Sequence, residues 1–135
     1  MGDIYEKRIM EDIEAVQVGA YFNMGNIDKY PQEIACLILQ KLLVWACQPQ
    51  NVTAIVTARN KISEIDKDWL KRYFIEVARK CIEFSDDWEY RRLMELVVFV
   101  IPELKDDALE LVKNSENENI QEVVQDYKNY YLQIG

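Results

Sequence analysis

Apolar residues return at three- and four-residue steps through nearly every stretch of this 135-residue chain, and strict alternation is absent. That period is the one that places side chains on a single helical face, so it restricts the chain to helix packed on helix. From Asp3 to Val18, Ile4, Ile9, Ile13 and Val16 form one stripe. Asn23-Met24-Gly25-Asn26 reads as the first break. Pro31 suits the first turn of a second helix, whose apolar stretch from Ile34 to Cys47 implies burial on most sides. Asn51 is placed to cap a third helix carrying Val52, Ile55, Val56 and Ile62, and acids at Asp66 and Asp68 mark the start of a fourth. Ser85-Asp86-Asp87 opens a fifth helix that runs to Ile101, where Pro102 stops it. Asp86 and Glu89 have the spacing of a capping box. A sixth helix is expected over 103–113 and a last one from Ile120 to about Leu132.

The expectation is an all-α fold of about seven antiparallel helices in one domain, 1–135, large enough to bury a core without disulfides or metal. Asn51-Val52-Thr53-Ala54-Ile55-Val56 and Asn119-Ile120-Gln121-Glu122-Val123-Val124 share a pattern, with Glu89-Tyr90-Arg91-Arg92-Leu93-Met94 between them. The steps suit stacked helical hairpins, as in a short α-solenoid, although an irregular bundle would give the same hydropathy.

Charge is distributed unevenly. Residues 1–80 hold 11 acids and 11 bases, whereas residues 81–135 hold 13 acids and 5 bases, so the net charge of −8 belongs to the C-terminal part. Such a surface repels nucleic acid, which is bound chiefly through phosphate neutralisation, and attracts a basic protein. The apolar run Leu96–Ile101 is far shorter than the ~20 residues of a membrane span. The charged N-terminal stretch has no leader-like apolar region, so a cytoplasmic location is expected. Cys36, Cys47 and Cys81 each lie inside an apolar helical pattern and read as small core residues in a reducing compartment.

Catalysis finds little to work with. The chain has no histidine to serve as a base, its four glycines never cluster into a phosphate loop, and no C-x-x-C suggests zinc. Adjacent acids such as Asp86/Asp87 and Asp106/Asp107 read as caps or solvated faces. No enzymatic activity, cofactor or metal is expected.

The densest chemistry is Asp86 to Leu96, DDWEYRRLMEL. On a helix, Trp88, Arg92, Leu96 and Val100 share one side and Tyr90, Leu93, Val97 and Ile101 another. Arg91 or Arg92 is therefore expected to bridge to Asp126 or Glu122 on the last helix, with Trp88 and Tyr90 packed. In that last helix Tyr127 is expected in the core, and one of the adjacent Tyr130 and Tyr131 at the surface.

The pattern Trp88-Glu89-Tyr90-Arg91-Arg92-Leu93, the later Ile120-Gln121-Glu122-Val123 with Asp126-Tyr127, and the earlier Asp68-Trp69-Leu70 resemble a family of small all-helical, HEAT-like bacterial immunity proteins. These are encoded beside polymorphic toxins, including those of contact-dependent growth inhibition. The resemblance covers roughly residues 50–130. It departs at Ile65-Asp66-Lys67, where the family pattern has a proline, and at Gln121, where it has a basic residue. The first 48 residues match only in being helical.

The resemblance implies a stoichiometric inhibitor of a cognate toxin C-terminal domain, many of which are nucleases with basic clefts. Candidate contacts are Glu89, Asp106, Asp107, Glu116, Glu118 and Glu122, with Tyr130 or Tyr131 as an anchor; Trp88, Arg91, Arg92 and Asp126 are assigned to the scaffold. The competing reading is a helical-repeat adaptor for another protein, with no toxin partner.

Overall fold

The computed structural model describes residues 4–48 and 50–129. Among these the chain is all helix: α1 (Ile4–Val16), α2 (Gln32–Ala46), α3 (Val52–Ser63), α4 (Lys67–Cys81), α5 (Asp87–Val100), α6 (Lys105–Glu110) and α7 (Glu118–Lys128), with 3-10 segments at Tyr21–Lys29 and Pro102–Leu104.

Helix α2 is the hub. Ala35, Ile38, Leu39, Leu42, Leu43 and Ala46 are buried along it, and α1, α3, α4 and α5 all pack against it. Its burial is broad but not complete, since Leu37 and Val44 reach solvent. Around this hub, α1 contacts α3, α3 contacts α5 and α5 contacts α7, while α2 contacts α4. Odd-numbered helices thus line up beside one another. The last of them, α7, buries only Ile120 and Val123.

The first break differs from the sequence expectation. Helix α1 ends at Val16, and the chain turns at Gly19, whose φ of +86° favours a residue without Cβ. The Glu14 carboxylate fixes this turn by accepting from the N–H groups of Gly19 (2.9 Å) and Tyr21 (3.0 Å). The stretch around Gly25, expected as the break, is a 3-10 segment kinked at Asn23, which buries Tyr21, Met24 and Ile27 at every third residue. Trp45 Nε1 donates to Asp12 at 2.7 Å and Lys61 Nζ to the Tyr21 carbonyl at 2.9 Å, tying α1 to α2 and the 3-10 segment to α3.

The third, fourth and fifth helices start where expected. Asn51 accepts from Ala54 N–H and Asp66 from Trp69 N–H. Asp86 accepts from the N–H groups of Trp88 and Glu89. Helix α7 begins earlier than expected because Asn117, not a later residue, caps it through Asn119 and Ile120. The sixth helix is shorter than 103–113: Pro102–Leu104 is 3-10, α6 ends at Glu110, and turns follow. The buried Tyr90 hydroxyl donates to the Ala108 carbonyl at 2.9 Å and fastens α6 to α5. Lys67 Nζ caps the end of α5 by donating to the Val100 carbonyl at 2.7 Å.

Candidate protein-binding surfaces

Two surfaces concentrate chemistry, and they have opposite character. The first is acidic and lies along α6, the turn after it and α7. Asp106 and Asp107 are exposed in the first turn of α6, where the helix dipole favours them. Glu116, Glu118 and Glu122 are exposed before and along α7. None of these five takes part in an ion pair among the described residues. Tyr130 and Tyr131, expected as anchors here, lie outside the described residues. Tyr127 is partly buried against the core.

Glu89 does not belong to this set. Its carboxylate turns back and accepts from the Glu83 N–H, closing the corner between α4 and α5. It therefore does not complete a capping box with the Asp86 N–H, which donates to the Glu83 carbonyl. Burial pushes its carboxyl above the ordinary value, partly offset by that hydrogen bond. Glu89 is a structural acid at a corner.

The second surface runs along α3 and α5. On α5, the core arc is wide: Tyr90, Leu93, Met94, Leu96, Val97, Val98 and Val100 are all buried. Opposite that arc, Trp88, Arg92, Glu95 and Phe99 share a strip at steps of four, three and four, with both aromatics exposed and Arg92 and Glu95 partly buried between them. Trp88, expected to pack, is 57% exposed, and Phe99 is 66% exposed. The reason is helical phase: Leu96 and Val100, grouped with Trp88 from the sequence, fall inside the wide arc, while Trp88 falls outside it.

The two arginines divide. Arg91 pairs with Asp126 at 2.9 Å, linking α5 to α7. Arg92, one residue on and roughly a hundred degrees around the helix, turns instead to Glu95 at 3.0 Å. Arg59 of α3 reaches the same carboxylate at 3.3 Å, and its guanidinium lies over the Phe99 ring at 5.8 Å. Val52 and Val56, one face of α3 with Arg59, are 66% and 46% exposed. Arg59 and Phe99 were not singled out from the sequence. Their spacing on the faces opposite the core stripes was the available signal. Val52 and Val56, expected in the apolar stripe of the third helix, turn outward because Ala54 and Ala58 fill the core side. Glu95, the i,i+4 neighbour of Arg91, pairs instead with Arg59 and Arg92.

Comparison with protein-family models, curated proteins and solved structures found no match for the chain. The reading of these surfaces therefore rests on their own chemistry.

A groove between α2 and α4 is lined by Gln32, Glu33, Cys36, Tyr73, Glu76 and Lys80. Burial pushes the Cys36 thiol up, so it stays protonated and weakly nucleophilic at neutral pH. The Cys81 thiol is pushed up to about 11 and the fully buried Cys47 well above its ordinary value, in both cases chiefly by burial. All three cysteines are unpaired. Among the described residues no helix is long and apolar enough to cross a membrane, and no cluster of potential ligands could hold a metal ion.

Proposed function

We propose that this chain is an immunity protein of the HEAT-like, polymorphic-toxin kind, acting in the cytoplasm by covering a basic toxin domain without chemistry of its own. The observation that carries the reading is the set of exposed, unpaired acids Asp106, Asp107, Glu116, Glu118 and Glu122 on a helical scaffold. Unpaired surface carboxylates cost nothing to disengage before binding, and together they speed encounter with a basic cleft. The alignment of α1, α3, α5 and α7 beside one another, with α2 against α4, is the packing that stacked helical hairpins would produce.

The test is co-expression with the toxin domain encoded by the neighbouring reading frame. The wild-type chain should restore growth and copurify with it. Changing the five acids to lysine should abolish protection and flatten the salt dependence of binding while leaving the helical spectrum intact. Unchanged protection and salt dependence would overturn the acidic-surface mechanism.

A second reading, a helical-repeat adaptor with no toxin partner, is favoured by one observation: the exposed Trp88 and Phe99 lie on the α3/α5 surface rather than among these acids. A neighbouring gene of metabolic or structural type would support it.

A further inference from the structure

We propose that the face formed by α3 and α5 is a docking surface for a protein segment that presents an acidic side chain among apolar ones. This does not rest on the immunity reading, because it concerns a different face and a partner of opposite charge.

The residues lie on two helical strips that meet at one point. Val52, Val56 and Arg59 share a face of α3, and Trp88, Arg92, Glu95 and Phe99 share a strip of α5. The two strips join where Arg59 meets both Glu95 and Phe99. Scattered exposed apolar residues need no explanation, but here four large ones lie, by helical spacing, on the same two strips that the Arg59–Glu95 and Arg59–Phe99 contacts join. Tryptophan, phenylalanine and arginine are also the types enriched in the centres of protein interfaces.

The charged cluster is unbalanced. Glu95 receives both Arg59 and Arg92, and one arginine would have sufficed to brace α3 against α5. With two, the patch keeps a net positive charge on a protein of net charge −8. The Nε atoms of both arginines are shielded from solvent and have no hydrogen-bond partner. A guanidinium carries more donors than a half-share of one carboxylate can satisfy, and shielded unmatched donors are costly. Helix α3 adds no acid to offset them, since its charged residues are Arg59 and Lys61.

These features define the occupant. A carboxylate on the partner would pair with the terminal N–H groups that Glu95 leaves over, one terminal nitrogen of each guanidinium. Glu95 takes Nη2 of Arg59 and Nη1 of Arg92, and the shielded Nε atoms are out of a partner's reach. Apolar neighbours on the partner would cover Trp88, Phe99 and the two valines. Nucleic acid fits poorly because the whole molecule repels phosphate. A second copy offering the same face would bring four guanidiniums to two carboxylates, which repeats the imbalance instead of relieving it.

The probe is a random peptide library displayed on phage and selected against the full chain, with recovered peptides synthesised and measured by fluorescence anisotropy. Recovered peptides should carry Asp or Glu beside Leu, Ile, Phe or Trp. Changing that acid to its amide should weaken binding about tenfold, as should Trp88→Ser with Phe99→Ser in the protein. Both aromatic side chains are largely exposed, so this double variant should keep its helical spectrum. Glu95→Gln, which releases both guanidiniums, should tighten binding several-fold; a purely structural Glu95 would produce no such gain. The proposal is overturned if no peptide is recovered, if recovered peptides are basic, if they bind the double variant as well as wild type, or if Glu95→Gln fails to tighten binding. A chain that sediments as a dimer, with the double variant a monomer, would give the face to a second copy and overturn it as well.

Discussion

Helices α2 and α7 show two ways of belonging to one fold. Helix α2 is surrounded by α1, α3, α4 and α5 and holds six buried residues, so nothing around it can move without disturbing it. Helix α7 sits at the end of the row, buries two residues, and is fastened by polar links: Asp126 to Arg91, the Asn117 cap, Asn117 to the Ser85 carbonyl, and Gln121 to the carbonyls of Val112 and Ser115. Apolar burial makes α2 the common interior. Directional polar contacts hold α7 in register while leaving most of its surface free for recognition.

If that contrast is right, Leu42→Ala in α2 should have the largest effect. It removes a fully buried side chain and should cost about 2–5 kcal/mol, read as a lower urea midpoint for the whole chain. Ile120→Ala in α7 also truncates a fully buried residue, but its loss should show locally: faster amide exchange in α7 with α2 still protected. Equal loss of protection in both helices would erase the distinction between hub and edge.

Tyr90→Phe comes next. It removes the shorter of two hydrogen bonds to the Ala108 carbonyl, which keeps the Leu111 N–H at 3.3 Å, and should cost about 0.5–1.5 kcal/mol by chemical denaturation, loosening the acidic α6 before α2. The Arg91–Asp126 pair is half-exposed and should yield only about 0.2–1 kcal/mol in a double-mutant cycle, shrinking with added salt. Arg92 and Asp126 should show no coupling, because Arg92 faces Glu95.

The smallest effect separates the two ends by pH. The backbone N–H groups of Gly19 and Tyr21 hold the Glu14 carboxyl below its ordinary value of 4.5. A depressed acid contributes stability above its unfolded pKa and loses it as pH falls through the folded one. Glu14→Gln should therefore flatten the acid-side loss of protection around the α1 turn below pH 4.5. The amide cap of Asn117 has no such titration, so α7 should not respond to that substitution.

The helices were legible because periodicity marks their number and the side chains at their starts mark their ends: the caps Asn51 and Asp86 appear in the structure, as does the helix start at Asp66. The stripe of α3 was only half right, since Ile55 and Ile62 are buried but Val52 and Val56 are exposed, their places in the core taken by Ala54 and Ala58. The turn after α1 was not legible, because two glycines competed and only the reach of Glu14 decides for Gly19. Tyr21, Met24 and Ile27 did carry a signal, a three-residue step that marks 3-10 geometry. At the candidate surfaces, the sequence allowed either arginine to reach α7. One residue of helical phase separates Arg91 from Arg92, and the width of the α5 core arc, which decides the phase, depends on neighbours far away in the chain. The inward turn of Glu89 was hidden for a related reason, since its partner is a backbone N–H across a helix corner.

The uneven charge has a consequence for motion before contact. With residues 1–80 neutral and the whole −8 beyond them, the molecule is an electric dipole as well as an anion. A charged partner exerts torque on a dipole, so the chain is rotated as it approaches rather than sampling every orientation by collision. At physiological ionic strength this torque is confined to roughly the last 8 Å of approach. Alignment and docking thus become nearly one event, and dilution of salt lengthens the distance over which the molecule is turned.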